Sequence, residues 1–192
     1  IRSVVRCSTG KNVEVIGVFR GWWGLINDEV KLLDHRSVSG IINEGGTILK
    51  TARCKEFLTE EGQKRAFDTI KKHSIEGLIV IGGNGSFRGA HEFYKKYGIP
   101  CIGVPASIDN DINGIDLTIG LDTAINTALS AIDNVRDTAT SMERIFVVEV
   151  MGRESGFIAL SVALCGGCEE AIIPEKKFDL INICHDIVGG NL

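Results

Sequence analysis

Asp109 and Asp111 are separated by a single residue in the stretch Pro105-Ala106-Ser107-Ile108-Asp109-Asn110-Asp111. Two carboxylates at that spacing project to the same side of an extended segment. Earlier in the chain, Gly82-Gly83-Asn84-Gly85-Ser86 places three glycines within four residues. Such a turn removes side chains where backbone approaches a ligand, and the amides entering the next helix favour an anion. A phosphate cradle and a pair of acids are parts that phosphoryl transfer needs. The plainer alternative is a turn in which both acids accept backbone hydrogen bonds, and spacing alone favours it.

Both turns follow apolar runs, Leu78-Ile79-Val80-Ile81 and Cys101-Ile102-Gly103-Val104. Runs of this length opening into a helical pattern read as buried parallel strands of an α/β sheet, whose carboxyl edge is where ligands bind. A helix is expected from Thr59, its cap, to about Lys72, with Ala66, Phe67 and Ile70 on one face. A second runs from Ser86, which caps it and can also meet a phosphate, to Tyr97, turning Phe87, Ala90, Phe93 and Tyr94 inward. Leu121, Ala124, Ile125, Ala128, Leu129, Ile132 and Val135 recur at helical steps up to about Met142. Further helices are expected at the start, Ile1 to Val5, and over Gly156 to Leu164 and Leu180 to Val188. Strands are expected over Val13 to Phe19, Ile145 to Val150 and Ala171 to Ile173. Gly21-Trp22-Trp23-Gly24-Leu25 reads as a loop, with one indole packed and the other lying over it rather than stacked on a ligand. His73 and His91 are expected at the surface.

A chain of 192 residues, 44% hydrophobic and 24% charged, is long enough to bury a real core in one good-sized domain or one and part of another. A formal charge of −4 without a basic cluster gives nucleic acid no electrostatic footprint. Neither a membrane-length apolar run nor a signal-like amino end is present, so a cytoplasmic location is expected. Cysteines at positions 7, 54, 101, 165, 168 and 184 are too dispersed for a disulfide scaffold. Cys165-Gly166-Gly167-Cys168 has metal-knuckle spacing, but no second pair or nearby histidine completes it, and reduced structural thiols are expected.

Five strings in order sharpen this picture: Ile81-Gly82-Gly83-Asn84-Gly85-Ser86, Ser107-Ile108-Asp109-Asn110-Asp111, Thr118-Ile119-Gly120, Arg136-Asp137-Thr138-Ala139 and Val147-Val148-Glu149-Val150-Met151-Gly152-Arg153. Together they resemble the 6-phosphofructokinase family, bacterial-type and ATP-dependent, from Ile1 to about Pro174. The resemblance implies a phosphofructokinase-like α/β fold, with parallel sheets carrying helices on both faces in a Rossmann-like three-layer arrangement. It implies two domains, each incomplete: residues 1–120 as a nucleotide-binding domain lacking its first strand, and 121–192 as the first part of a sugar-phosphate-binding domain. The family pattern begins one strand and one glycine-rich turn earlier and continues further, so an internal portion, weakly active at best alone, is expected.

The implied reaction is glycolytic transfer from ATP to the 1-hydroxyl of fructose 6-phosphate, with Mg2+, giving fructose 1,6-bisphosphate and ADP. Asp109 would be the general base, Asp111 would act through magnesium, and Arg153 would clamp the moving phosphoryl group. Ser107, Ile108, Asp109, Arg144, Met151, Gly152 and Arg153 would meet the sugar phosphate. Arg53, Cys54, Gly83, Asn84, Gly85 and Ser86 would meet the nucleotide. Arg144 reaches the 6-phosphate across a subunit contact in the family, which implies a homo-oligomer, typically a tetramer. Arg2, Arg6, Arg136, Gly167 and Glu169 match an allosteric effector site, although His35 and Gly40 depart from the bacterial pattern nearby. Ser107 replaces the commoner threonine. Asn84 stands where the family usually has aspartate, so the metal pair Asn84 and Asp111 carries one charge fewer. Gly85 and Ala106 favour ATP over pyrophosphate, whose users often carry aspartate and lysine there. Two alternatives remain: a pyrophosphate-dependent enzyme, and a silent regulatory subunit that binds nucleotide or sugar phosphate. Without the resemblance, Arg53 reads as a solvated side chain and Arg153 as an ion-pair partner.

Overall fold

The computed structural model describes residues 1–189, and the chain divides into two compact units between Val104 and Pro105. The first unit opens with helix α1 (Arg2–Thr9), which continues well past Val5, and an antiparallel pair, β1 (Val15–Val18) and β2 (Val30–Leu33). Strand β2 was not expected from the sequence, because its Val-Lys-Leu-Leu run is too short to show a period.

Between these strands, Trp22–Ile26 forms a short helix, α2, where a loop was expected. The two glycines that suggested a loop serve a backbone turn and a close packing instead. Gly21 takes φ 59° at the helix entry, and a side chain on Gly24 would overlap the Phe19 carbonyl. Leu25 and Ile26 are thereby buried. The Trp22 indole stacks on Phe57 at 4.2 Å between centroids, and Trp23 lies under the Arg20 guanidinium, the division of labour expected for the pair.

Helix α3 (Glu60–Lys72) begins where its cap predicts: Thr59 Oγ1 accepts from Gly62 N at 3.1 Å. Ala66 and Ile70 are fully buried on its inner face. His73, expected to be simply solvated, instead contacts Asp28 Oδ1 through Nε2 at 2.6 Å, and Lys72 pairs with the same carboxylate. Asp28 reaches both because it sits in a left-handed turn, φ 59°, between α2 and β2.

Strand β3 (Leu78–Gly82), helix α4 (Asn84–Tyr97) and strand β4 (Cys101–Pro105) form a β-α-β crossover, with the strands as neighbours in one sheet. The helix starts at Asn84, two residues before the expected Ser86, because Gly83 serves as its N-cap. Phe93 is buried, but Tyr94 is 52% exposed rather than inward. Four residues after Phe93, Tyr97 takes the inner position and stacks on Phe67 at 4.4 Å. His91 is exposed, as expected. Gly103 leaves room for the Phe87 ring, which a Cβ would approach to 2.9 Å.

The second unit is built on α5 (Leu121–Ser141) and α6 (Phe157–Gly166), followed by α7 (Leu180–Gly189). Leu121, Ile132, Ile158 and Val162 form its buried core. The segments 145–150 and 171–173, expected as strands, are not strands. An apolar β-branched run becomes a strand only when a neighbour takes up its backbone groups, and no described residue pairs with either segment. Val147 is 90% exposed accordingly.

Thr59→Ala should lower stability by about 1 kcal/mol through loss of the cap, read as a shift in urea midpoint at unchanged slope. The carboxyl of Asp28 is held below its ordinary range by its bonds to Lys72 and His73. A depressed carboxylate stabilises the fold above its unfolded pKa, and that contribution is lost as pH falls through the folded value. Asp28→Asn, which suits the left-handed turn, should therefore flatten the acid limb of a stability-against-pH curve.

Candidate functional site

The glycine turn lies in the first unit. Strand β3 ends at Gly82, Gly83 is extended, and α4 begins at once, so the amides of Asn84, Gly85 and Ser86 form the first turn of a fourteen-residue helix. The first amides of a helix have no carbonyl partner within it, and the N-cap here, Gly83, carries no side chain. The aligned peptide dipoles add positive potential at the same end. A Cβ on Gly85 would meet nothing within 4 Å, so this residue faces open space. Ser86, placed inside the helix, folds back over the strand end, and a Cβ on Gly82 would come within 2.8 Å of its Oγ. Arg53 is exposed, and Cys54 beside it packs against the core around Leu25 and Phe57. The thiol is therefore an anchor for the segment that carries the arginine.

The acid loop lies in the second unit, and its shape is set by a residue that the sequence reading passed over. Asn110 is 9% exposed with φ 53°. Its Nδ2 donates to Asp116 O at 3.1 Å, and its Oδ1 accepts from Thr118 N at 2.8 Å. One amide thus closes the loop from both sides. The available signal was the residue type, since asparagine tolerates left-handed backbone and bridges loops with its side chain. Ser107 Oγ accepts from Asp109 N at 3.2 Å. These closing bonds come from Ser107 and Asn110, which leaves the Asp109 carboxylate for other work. Ile108 packs into the core beside Leu121, anchoring the loop. Thr118 is 5% exposed, and its hydroxyl oxygen has no hydrogen-bond partner among the described residues.

A second turn, Met151 to Ser155, brings the arginine. Gly152 has φ 152°, and a side chain there would overlap the Ser155 carbonyl. Arg153 follows with φ 47°, and Ser155 N donates to Gly152 O at 2.8 Å. The buried Ser155 hydroxyl donates to the Asp109 carbonyl oxygen, joining this turn to the acid loop. Behind it, Gly156 N donates to Glu175 Oε1 at 2.7 Å as α6 begins. Burial pushes the Asp109 carboxyl above the ordinary carboxylate range, and the Asp111 carboxylate pushes the same way, while the Arg153 charge opposes both. Asp109, Asp111 and Arg153 are therefore brought within electrostatic reach of one another. Met151 is 72% exposed. Arg144 is exposed after the end of α5, where its N donates to Ala139 O at 3.0 Å.

The remaining candidates form two small groups. Arg2 and Arg6 stand four residues apart on α1 and so share a face. In the second unit Arg136 flanks Gly167, whose Cβ position lies 3.8 Å from the guanidinium, and Glu169 is exposed two residues on. The six cysteines are free thiols. Among the described residues, no three His, Cys, Asp or Glu side chains converge as a metal site.

A β-α-β unit with a glycine-lined helix start in the first unit, and an acid loop joined to an arginine turn in the second, define an α/β protein. The family described as Phosphofructokinase matches residues 1–191, and the chain belongs to that family. The ATP-dependent 6-phosphofructokinase of Cytophaga hutchinsonii is 55% identical over 179 residues, covering 93% of this chain and 55% of its own length. That of Bacillus pumilus is 54% identical over 191 residues, covering 100% of this chain and 60% of its own. The chain thus spans a little over half the length of these curated relatives. Among solved structures, phosphofructokinase from Saccharomyces cerevisiae matches with TM-score 0.92 and 30% identity, covering 99% of this chain and 29% of that one. A pyrophosphate-dependent phosphofructokinase from Marinobacter aquaeolei matches with TM-score 0.72 and 26% identity, covering 91% and 49%. The fold class is phosphofructokinase-like α/β, as expected from the sequence.

Gly152→Ala forces a side chain into strained backbone and against Ser155, and should cost about 1–3 kcal/mol. Asn110→Ala leaves two loop groups without partners and should cost a similar amount, about 1–3 kcal/mol. Urea denaturation checks both, and a Ser3→Ala control on the exposed side of α1 should leave the midpoint unchanged.

Proposed function

We propose that the protein transfers the γ-phosphoryl group of ATP to the 1-hydroxyl of fructose 6-phosphate, as part of glycolysis. The observation that carries this reading is the Asp109 carboxylate held in one unit with both Asp111 and Arg153. In it, Asp109 takes the proton of the attacking hydroxyl as the new bond forms. A carboxyl raised above its usual range is better matched to that task than an ordinary one. Arg153 neutralises charge on the moving group by charge-assisted hydrogen bonds, and the exposed Met151 and Gly152 backbone with Ser107 frames the sugar. Gly83, Asn84, Gly85 and Ser86 cradle the donor's phosphates at the start of α4, with Arg53 as a further cation. Residues 1–120 would serve the nucleotide and 121–192 the sugar phosphate, although the compact units divide earlier, between Val104 and Pro105.

Asp111, an exposed carboxylate, would hold a magnesium ion by charge, and the Asn84 amide oxygen would be a weaker, neutral ligand. When bound, the ion neutralises phosphate charge. Arg144, exposed at the end of α5, is available to a neighbouring copy's sugar phosphate, consistent with a homotetramer. Arg2, Arg6, Arg136, Gly167 and Glu169 form the proposed effector set. No helix among the described residues is long and apolar enough to cross a membrane, and the reading places the protein in the cytoplasm.

Pyrophosphate is the competing donor, and the solved pyrophosphate-dependent relative keeps it in view. Open space at Gly85 and the small Ala106 favour the larger donor. In the intact protein a coupled assay should show turnover with ATP and little with pyrophosphate, and the reverse preference overturns the assignment. Asp109→Ser should lower kcat by roughly 100- to 10,000-fold while KM for the sugar phosphate changes little; a loss expressed equally in binding would deny Asp109 its role. Activity requires the deprotonated base, so the acid limb of kcat/KM should lie above the ordinary carboxylate range, and Arg153→Met should move it further up.

A further inference from the structure

Helix α6 starts without a cap of its own. Gly156 is its N-cap and carries no side chain, no acidic residue lies in its first turn, and its third position is Ala159. In a capping box, a glutamate or glutamine at that third position reaches back to the N-cap N–H. Here the bond comes from nineteen residues further along the chain: Gly156 N donates to Glu175 Oε1 at 2.7 Å. We propose that Glu175 is a positioning residue: its side chain supplies the cap that α6 lacks and so holds the end of the 151–155 turn, which carries Met151, Gly152 and Arg153 to the sugar phosphate. This rests on the kinase reading for its effect on sugar binding; the hold on the turn is independent of the reaction.

The contact is built rather than incidental. A Cβ on Gly156 would lie 2.5 Å from Glu175 Oε2 and 2.6 Å from the Ile173 Cβ, so segment 173–175 rests directly on the Gly156 backbone. That segment is itself turned, with Lys176 N donating to Ile173 O at 3.3 Å. The carboxylate stands at the positive end of the α6 dipole, where an anion is favoured, and the bond is part-buried although Glu175 as a whole is exposed. One residue before Gly156, Ser155 N donates to Gly152 O at 2.8 Å and the Ser155 hydroxyl donates to the Asp109 carbonyl. The turn is therefore tied to the acid loop on one side and to Glu175 on the other. Between these ties Gly152 and Arg153 take positive φ, 152° and 47°, and backbone of that kind persists only where its surroundings over-determine it. With Glu175 released, the turn relaxes in the free protein and the arriving sugar phosphate has to order it. The loss then falls on binding rather than on the chemical step.

The test compares Glu175→Ala, Glu175→Asp and Glu175→Gln in the intact protein. Glutamine keeps an acceptor oxygen at the same reach without the charge, whereas aspartate keeps the charge and is one methylene shorter. One readout is amide hydrogen exchange resolved at Gly156. The other is KM for fructose 6-phosphate set beside KM for ATP and kcat. Glu175→Ala and Glu175→Asp should speed exchange at Gly156 roughly tenfold or more. They should raise KM for fructose 6-phosphate roughly 2- to 10-fold, with KM for ATP and kcat little changed, and Glu175→Gln should restore most of both. If Glu175→Ala does not fold, the aspartate and glutamine variants decide the matter by the same readouts. Unchanged exchange at Gly156, a KM rise that glutamine does not reverse, or lower stability to urea with both KM values unmoved overturns the proposal even if the protein is an active kinase. Faster exchange at Gly156, reversed by glutamine, in a protein that phosphorylates no sugar leaves the hold on the turn standing and removes the kinase reading instead.

Discussion

The acid loop depends on uncharged groups doing the structural work. A carboxylate that closes its own turn is tied to backbone amides, and those bonds favour the ionised form and lower its proton affinity. Here the closing bonds are made by the Asn110 amide and the Ser107 and Ser155 hydroxyls. Asp109 can then respond to its surroundings, half-buried beside Asp111 and opposed by Arg153, and its proton affinity rises. The same arrangement explains why Asn110 sits buried in left-handed backbone between the two acids. Extended backbone through this residue would direct both acids to one side, whereas the turn lets one amide seal the loop and leaves Asp109 and Asp111 with different exposures.

Glycine has three distinct uses in this chain. Gly24, Gly89 and Gly103 let another group pack where a side chain would stand: the Phe19 carbonyl, the Trp22 indole and the Phe87 ring. Gly152 supplies a backbone conformation that other residues adopt only under strain. Gly85 meets nothing at all. Packing and conformation account for the first two uses within the fold, but an open glycine in the first turn of a helix has no internal reason to be small. In the proposed reaction, that open position is where the donor's phosphates would approach the amides.

Much of the scaffold could be read in advance because it rests on local signals. The Thr59 cap, the α3 face through Ala66 and Ile70, and the three- and four-residue steps of α5 follow from side-chain types at fixed spacing. What was misread depends on long-range partners. The run from Ile145 to Val150 has strand composition but no neighbour among the described residues, and Ala171 to Ile173 is too short to declare itself. Tyr94 and Tyr97 are both plausible inner residues, and only the phase fixed by Phe93 decides between them. Trp22 to Ile26 was obscured because glycines serving close packing look, in sequence, like glycines serving flexibility. In the site, the acids, the glycine turn and Arg153 were legible as chemical types, while Ser155 was not: a serine carries no sign of which carbonyl it will meet.

The substitution of Asn84 for the family's usual aspartate has a physical consequence at the helix start. An aspartate in the first turn stabilises the helix through its dipole, but its charge also opposes a phosphate arriving at the same amides unless a cation lies between them. With no acidic residue in that turn, the amides can receive an anion directly. The cation then loses one anionic oxygen, and hard divalent ions depend strongly on the number of charged ligands. In the proposed reaction, Asp111 would therefore be the residue that holds the ion by charge, with the Asn84 amide oxygen as a weaker, neutral ligand. In that reading, charge neutralisation during transfer would rest more on the Arg153 guanidinium.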